Sequence, residues 1–285
     1  MSNMELWYTE NQTNNVNFSM KVKSHLYSKQ SDFQKIDIID TYEFGKVLVI
    51  DNWTMVTEKD EFIYHEMITH VANATNKDIK NVLVIGAGDG GTVRELTRYK
   101  TIENIHMVEI DEVVVRASQE FLPFTACKLT DERVSLFFED GIKFVKGKEN
   151  LYDLIIIDST DPIGPGEGLF TMDFYTDCFN ALTEKGILIN QCESPYYPLN
   201  SKEMKRSFNK LNSLFPICEA YQYHMPTYPS GHWMFCFASK ALHPIKDLDA
   251  AYWNSLGLET KYYNTDLHVG CFALPNYVKA QLIEE

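Results

Sequence analysis

Two aspartates follow a continuous apolar run in the middle of the chain. The run covers residues 154–157, Asp158 follows it directly, and Asp161 comes three positions later. A buried strand is normally followed by a neutral turn, because a buried carboxylate is unfavourable unless it has a charged or hydrogen-bonding partner. Ligands of open α/β sheets bind at the C-terminal ends of the strands. The spacing therefore predicts a site for a cation at this strand end.

A glycine-rich loop with an acid inside it follows an earlier apolar run. Residues 86–91 match the pattern GxGxxG between a strand and a helix, and Gly86, Gly88 and Gly90 let a ligand approach the backbone. A helix N-terminus usually attracts an anion, but Asp89 would repel a pyrophosphate and the carboxylate of ordinary S-adenosylmethionine (AdoMet). We expect a nucleoside that carries a cation. The alternative is that Asp89 only caps the helix.

Acids also end the next two apolar runs. Glu109 lies 23 residues beyond Gly86 (109 − 86), close to the spacing of about 20 at which an acid binds ribose hydroxyls. We favour Glu109 over Asp111 because it sits at the strand tip. Asp140, followed by Gly141, could accept a hydrogen bond from an adenine amino group. A solvated acid at 109 and a plain turn at 140 are the alternatives.

The hydrophobic pattern indicates the elements that must position these acids. Continuous apolar runs alternate with helical segments, which is typical of a parallel sheet covered on both faces. The runs cover residues 82–85, 105–108, 134–138, 154–157 and 187–190. The aromatic-rich segment 221–238 predicts closing antiparallel strands. We expect an α/β fold whose catalytic domain, residues 61–285, has a Rossmann-like, methyltransferase-type, mostly parallel sheet.

The first 60 residues have a different pattern. Strand-like segments at 18–22, 35–40 and 46–50, the last two separated by a turn, predict a small N-terminal antiparallel β domain over residues 1–60. After residue 58 the apolar period becomes about 3.6, which predicts a helix carrying Tyr64 and His65. On such a helix an aromatic residue and a lone histidine are more often packing residues than ligands.

Composition narrows the class of protein. With 285 residues, 45% of them hydrophobic, the chain can bury a substantial core. A net charge of −14 argues against nucleic-acid binding. The sequence has no apolar run long enough to span a membrane and no signal-peptide pattern at its start, so we expect a soluble, cytoplasmic protein. The six cysteines are scattered without a CxxC pair, and we expect neither a metal site nor disulfides.

Several segments together resemble the polyamine aminopropyltransferase family, which includes the spermidine synthases. The resemblance runs over nearly the whole chain, and the Asp-Ser-Thr-Asp-Pro block combined with Asp89 in the loop is its most specific part. The matching segments are residues 60–67, 86–95, 107–111, 158–165, 226–231 and 272–275.

The resemblance implies an enzyme that transfers the aminopropyl group of decarboxylated AdoMet to putrescine. The products would be spermidine and methylthioadenosine. Decarboxylated AdoMet would be a co-substrate, and no metal or other cofactor would be needed. The N-terminal sheet of such enzymes commonly helps form homodimers or homotetramers.

The resemblance also implies roles for individual residues. Asp158 would accept the proton, and Asp89 would hold the aminopropyl amine. The nucleoside would be held by Gln34, Glu109, Asp140, Gly141 and Pro165. The diamine channel would be lined by Asp161, Tyr64 and Tyr228, together with Trp7 near the N-terminus, and His65 would border the junction of the two ligands.

Three alternatives stay open from the sequence. A putrescine N-methyltransferase has this architecture but uses intact AdoMet, and Asp89 argues against it. A non-catalytic nucleoside-binding protein would not need both Asp158 and Asp161. Synthesis of spermine or thermospermine depends on a channel depth that the sequence does not give. Position 87 is an alanine, where the family commonly has three glycines in a row. His232 and Met234 occupy positions that are expected to vary in the family, so they put the choice of amine in doubt but not the type of reaction.

Overall fold

The computed structural model describes residues 5–159 and 164–283. Its first part is an antiparallel sheet with the strands in sequence order. The strands are β1 (Leu6–Thr13), β2 (Val16–Gln30), β3 (Lys35–Thr41), β4 (Gly45–Ile50) and β5 (Trp53–Thr57). The predicted boundary between residues 60 and 61 falls between β5 and the first helix.

Alternation along β3 and β4 gives this sheet two apolar faces. Ile36 and Ile38 of β3, with Leu48 and Ile50 of β4, pack in one cluster. Ile39, the next residue after Ile38, packs in a separate cluster on the other side of the sheet. Successive side chains of a strand point to opposite faces, so both faces of the hairpin are buried.

The second part is a mixed sheet covered by helices. Up to its central strand the elements are α1 (Glu61–Thr75), β6 (Asn81–Gly86), α2 (Gly91–Leu96), β7 (Asn104–Val108), α3 (Glu112–Phe121), α4 (Pro123–Ala126), β8 (Val134–Phe137), α5 (Gly141–Val145) and β9 (Tyr152–Asp158). A 3₁₀ helix (Gly164–Phe170) follows, and then α6 (Met172–Ala181), β10 (Leu182–Gln191), α7 (Pro198–Leu214), β11 (Ile217–His224), β12 (His232–Ser239), α8 (Ala250–Ser255), α9 (Thr265–Gly270) and α10 (Asn276–Ile283).

The strand order within the described ranges is β11-β12-β10-β9-β6-β7-β8. The strands from β10 to β8 are parallel, whereas β12 pairs antiparallel with both β10 and β11. The predicted α/β, Rossmann-like fold, with its N-terminal antiparallel sheet, is confirmed. The helix after the glycine loop is short and ends at Leu96.

Both faces of the second sheet are buried, and this explains why its strands are continuously apolar. Leu154 and Ile156 of β9 pack in one cluster with the buried stripe of α1. Ile155 and Ile157 pack in the cluster on the opposite face, with α6 and α7. Burial on both faces removes the polar alternation that a half-exposed strand shows. In the part of the chain described, no helix is both long and apolar enough to cross a membrane.

Candidate active site

The predicted acids meet at the C-terminal edge of the parallel strands. β6 and β9 are neighbours, and their register pairs Gly86 with Asp158. A cavity opens above this edge, between the second sheet and the N-terminal sheet. The predicted residues that line it are Gln34, Tyr64, His65, Gly86, Gly88, Asp89, Glu109, Asp140, Gly141, Asp158 and Tyr228.

Gly86 joins the glycine loop to the strand that carries Asp158. Its φ of +88° is in the left-handed region, and a Cβ there would lie 2.1 Å from the backbone oxygen of Asp158. The same oxygen accepts a hydrogen bond from the Ala87 N–H at 2.9 Å. Glycine is therefore required at position 86 by close approach as well as by conformation. The two motifs found in the sequence form one structural unit.

The Asp158 carboxylate has a hydrogen bond to each oxygen. The Tyr64 hydroxyl donates to Oδ1 at 2.7 Å, and the Thr92 hydroxyl donates to Oδ2 at 2.6 Å. Burial and the neighbouring charge of Asp89 raise the pKa of Asp158, although these two hydrogen bonds and His65 act in the opposite direction. The result is a carboxylate of increased basicity, as a proton acceptor requires.

Asp89 faces the cavity and also shapes its own loop. Its Oδ1 accepts a hydrogen bond from the Gly91 N–H at 2.8 Å and lies 3.2 Å from Nε2 of His65. The alternative interpretation of Asp89 as the helix N-cap is wrong, because the N-cap of α2 is Gly90, although the Asp89 carboxylate does accept from the first N–H of the helix. Oδ1 serves the loop, whereas Oδ2 can accept a bond from a ligand amine.

The half of the cavity that is predicted to bind the nucleoside contains the acids that follow β7 and β8. Glu109 accepts a hydrogen bond from the Asp111 N–H at 2.9 Å, and burial raises the pKa of Glu109 to about 7. Asp140 begins α5 and accepts from the Ile142 N–H at 2.9 Å. Gln34 donates to Asp111 at 3.1 Å, so Asp111 helps to place the N-terminal sheet over this half.

The other half of the cavity has an aromatic wall. Tyr64 and Tyr228 meet edge to face with ring centroids 6.4 Å apart, and the Tyr228 hydroxyl donates to the Met55 carbonyl. The loop that carries Tyr228 is held by Asp60, whose carboxylate accepts from both the N–H and the hydroxyl of Thr227. The aromatic wall is thereby fixed to the junction between the two sheets.

Two predicted residues that the structure describes, Trp7 and Gly90, are not among the residues that line the cavity. Trp7 is 52% exposed on β1, and strand alternation places it on the face opposite to Glu10, which lines the cavity. Gly90 is part of the glycine loop and has a left-handed φ of +88°. Asp161 lies outside the described residues, and the structure gives no side-chain position for Pro165.

The sequence interpretation missed several lining or supporting residues. They come mostly from the N-terminal sheet and from the end of β10, and they include Glu10, Gln12, Trp53, Thr54 and Gln191. Thr92, directly after the glycine loop, supports Asp158 and is not among the predicted site residues. Its position immediately after a predicted ligand loop, together with its hydroxyl group, could have identified Thr92 as a site residue. The N-terminal residues carried no comparable signal, because they reach the cavity only through long-range packing.

Comparison with known proteins gives the same assignment over both sheets. One family model, the spermine/spermidine synthase domain, matches residues 61–249. A second, the spermidine synthase tetramerisation domain, matches residues 6–58.

Individual proteins match over the whole length. A polyamine aminopropyltransferase of Alkaliphilus oremlandii is 66% identical over 282 residues, 99% of each chain. One from Clostridium perfringens is 65% identical over 279 residues, 98% of each chain. The spermidine synthase of Thermotoga maritima superposes with a TM-score of 0.92 at 42% identity, covering 97% of this chain and 94% of that one. A spermidine synthase in complex with the transition state analogue AdoDATO superposes with a TM-score of 0.95 at 43% identity, with the same coverage.

A Rossmann-like sheet with a glycine loop and a row of acids at its carboxyl edge defines a nucleoside-dependent transferase. The matches specify which kind. The chain belongs to the spermidine synthase family of polyamine aminopropyltransferases, and it is an aminopropyl-transferring enzyme of polyamine biosynthesis.

Proposed function

We propose that the enzyme transfers the aminopropyl group of decarboxylated AdoMet to putrescine, giving spermidine and methylthioadenosine, with Asp158 as proton acceptor. The observation that carries this proposal is the position of Asp89. It is an acid inside the nucleoside-binding loop, and one of its oxygens lies within 4.8 Å of ligand atoms of both His65 and Asp158.

Asp89 accounts for the choice of donor. Decarboxylated AdoMet carries a sulfonium and an ammonium, whereas intact AdoMet also carries a carboxylate. A carboxylate at position 89 attracts the ammonium of the first and repels the carboxylate of the second. Selection through repulsion as well as attraction is a general route to specificity.

The reaction is a displacement at the propyl carbon next to sulfur. Asp158 takes one proton from the acceptor ammonium, and the freed nitrogen lone pair forms the new C–N bond. The C–S bond breaks, and its electrons stay on sulfur, which leaves as the neutral thioether of methylthioadenosine. A neutral leaving group needs no Lewis acid, so we predict that no metal cofactor is required.

Deprotonation of the acceptor is the demanding step for Asp158. An amine with a lysine-like pKa of 10.4 requires about 4.6 kcal/mol to become neutral at pH 7. The raised pKa of Asp158 reduces the mismatch between base and amine. Alignment of the amine, the propyl carbon and the sulfonium can supply several kcal/mol more. The aromatic wall of Tyr64 and Tyr228 would provide that alignment.

The cavity also suits a second positive charge. Glu10 is buried there, and its carboxylate accepts a hydrogen bond from the Thr54 N–H at 2.8 Å. Gln191, also buried, lines the same cavity. An acceptor with two amines would therefore find a further acid, Glu10, in the same cavity as Asp158, which supports a diamine as the substrate.

The decisive experiment supplies two donors and three acceptors to the purified enzyme and identifies the products by mass spectrometry. Decarboxylated and intact AdoMet are each paired with putrescine, cadaverine and spermidine, with and without a chelator. We expect spermidine from decarboxylated AdoMet and putrescine, unaffected by the chelator. N-methylputrescine formed from intact AdoMet would show that the enzyme is a methyltransferase. Spermine as the main product would show that the acceptor is spermidine and not putrescine.

Asp158→Asn tests the proton acceptor. We expect kcat to fall at least 100-fold, in the range typical of a lost general base, while methylthioadenosine binds with little change in a calorimetric titration. Retained binding excludes unfolding as the cause. A kcat close to that of the unmodified enzyme would overturn the role of Asp158.

A further inference from the structure

His65 has a carboxylate at each ring nitrogen. Nδ1 lies 2.6 Å from Oε2 of Glu61, and Nε2 lies 3.2 Å from Oδ1 of Asp89. An ionised carboxylate only accepts hydrogen bonds and carries negative charge, so a carboxylate beside each ring nitrogen favours the form of the ring in which both nitrogens are protonated. A histidine that donates from both nitrogens is an imidazolium.

The arrangement behind His65 is built to keep that charge in place. Glu61 is one helical turn before His65 on α1, so both side chains lie on the same face of the helix. Arg94 of α2 holds Glu61 with two parallel hydrogen bonds, each 2.9 Å long. Such fork-like pairing fixes orientation as well as charge.

The glycine loop leaves space for the ring. A Cβ on Gly91 would lie 2.2 Å from Cε1 of His65. The same Gly91 donates its N–H to Asp89. The ring, the loop and the Asp89 carboxylate are therefore packed as one unit, and a larger residue at 91 would displace the ring.

We propose that the chain Arg94–Glu61–His65 holds a permanent imidazolium against Asp89 and close to Asp158, and that this charge orients Asp89 toward the donor and keeps Asp158 ionised. Arg94 and Glu61 are thus positioning residues that act through His65. The inference rests on the proposed roles of Asp89 and Asp158.

The need for a cation here follows from the charges that face the cavity. Burial and the charge of Asp89 raise the pKa of Asp158, and Asp158 in turn helps to raise the pKa of Glu109. Without compensation, Asp158 would become protonated too readily to act as a base. His65 is the cation that contacts this group of acids, and its charge lowers the pKa of Asp158.

The groups that face His65 agree with a stable charge. Glu61 of α1 and Asp89 of the glycine loop contact it directly, Asp158 of β9 lies nearby, and the Tyr64 ring meets it edge to face. Burial opposes the charged form, but the two contacting carboxylates raise the pKa of His65 to about 10. The imidazolium therefore persists over the pH range in which the enzyme would be assayed.

The first test compares the pH dependence of kcat in Glu61→Gln and Glu95→Gln. Glu61→Gln removes one carboxylate from His65, so the pKa of Asp158 rises and the acid limb of the profile moves upward by about one pH unit. We also expect the KM for the donor to rise about tenfold, because Asp89 loses its fixed partner. Arg94→Lys keeps the positive charge but loses the paired hydrogen bonds to Glu61, so it should shift the acid limb of the pH profile by less than Glu61→Gln does.

Glu95→Gln is the matched control. Glu95 is also buried and also binds Arg94, at 3.0 Å, but its histidine partner is His70, which does not line the cavity. The Glu95→Gln variant should lose stability to about the same extent as Glu61→Gln, but the pH dependence of its kcat should not shift. Equal shifts in both variants would mean that Glu61 has a structural role only.

The second test reads the charge of His65 directly by NMR of enzyme with ¹⁵N-labelled histidine. His65→Asn identifies the signal. We expect two protonated ring nitrogens in the unmodified enzyme at pH 8 and one unprotonated nitrogen in Glu61→Gln. An unprotonated nitrogen in the unmodified enzyme would overturn the inference. Near-normal turnover of Asp158→Asn would instead overturn the base assignment, and the NMR result would still stand by itself.

Discussion

At the scale of single residues, the acids of the site differ because their surroundings differ. Asp158 is held by two hydroxyl donors, whereas Asp89 is held by a backbone N–H and an imidazole. Glu109 has a backbone donor and, within the described part of the chain, no ion-pair partner, and burial raises its pKa to about 7. Chemically similar groups can therefore serve as base, donor ligand and ribose ligand in one cavity.

Glu109→Gln is expected to weaken nucleoside binding and stabilise the fold at neutral pH. The pKa of Glu109 is raised on folding, so its favourable contribution is present below its ordinary pKa of 4.5 and is lost as the pH rises to about 7. Glutamine does not ionise, and the variant should melt at a higher temperature than the unmodified enzyme only above that window. Methylthioadenosine should bind about tenfold more weakly, through loss of a charged acceptor.

Thermal melts between pH 4 and 8, with calorimetric titration of methylthioadenosine, measure both effects. Glu112→Gln is the control, because Glu112 is an exposed glutamate three positions away whose partner is the exposed Arg116. It should show neither effect. Parallel melting curves for Glu109→Gln and the unmodified enzyme across the whole range would contradict the buried-charge argument.

At the scale of elements, the site depends on the close contact between the loop after β6 and the end of β9. Both motifs were recognised from the sequence because each follows a continuous apolar run, and burial on both faces makes such runs visible. Their contact was not predicted, since it depends on β6 and β9 being neighbours in the sheet. The Tyr64–Asp158 hydrogen bond joins residues 94 positions apart, which no local pattern can indicate.

Gly86→Ala tests this contact. The added methyl would collide with the backbone of Asp158, and the left-handed φ adds strain. A displacement of about 1 Å at a catalytic group can lower the rate about 100-fold, so we expect a loss of that order in kcat. Steady-state kinetics and urea unfolding measure activity and stability separately.

Gly147→Ala separates strain from collision. Gly147 also has a left-handed φ, +73°, but a Cβ there meets nothing within 4 Å. It should lose about 1 kcal/mol of stability and keep its activity. If Gly86→Ala behaved in the same way, the close approach to Asp158 would have no catalytic importance.

At the scale of the whole molecule, the N-terminal sheet serves two purposes. Its inner side covers the cavity and contributes residues that the sequence did not reveal, such as Trp53 and Glu10. Its other surface includes exposed apolar side chains, and residues 6–58 match a spermidine synthase tetramerisation domain. Large exposed apolar groups on an edge strand are typical of a surface that associates. We therefore expect homo-oligomers that cover this edge.

Trp7→Ala separates the two roles that the sequence left open for this residue, amine contact and subunit contact. Trp7 is half exposed and does not line the cavity of its own chain, so we expect any contact with an amine to be made in another subunit. We expect the variant to sediment at a lower mass than the unmodified enzyme at the same concentration, because an aromatic contact is lost. Leu199→Ala, at an 80% exposed position on α7, is the control and should leave the mass unchanged. An unchanged mass for Trp7→Ala together with a raised KM for putrescine would assign Trp7 to the amine channel of a neighbouring subunit, whereas no change in either quantity would exclude both roles.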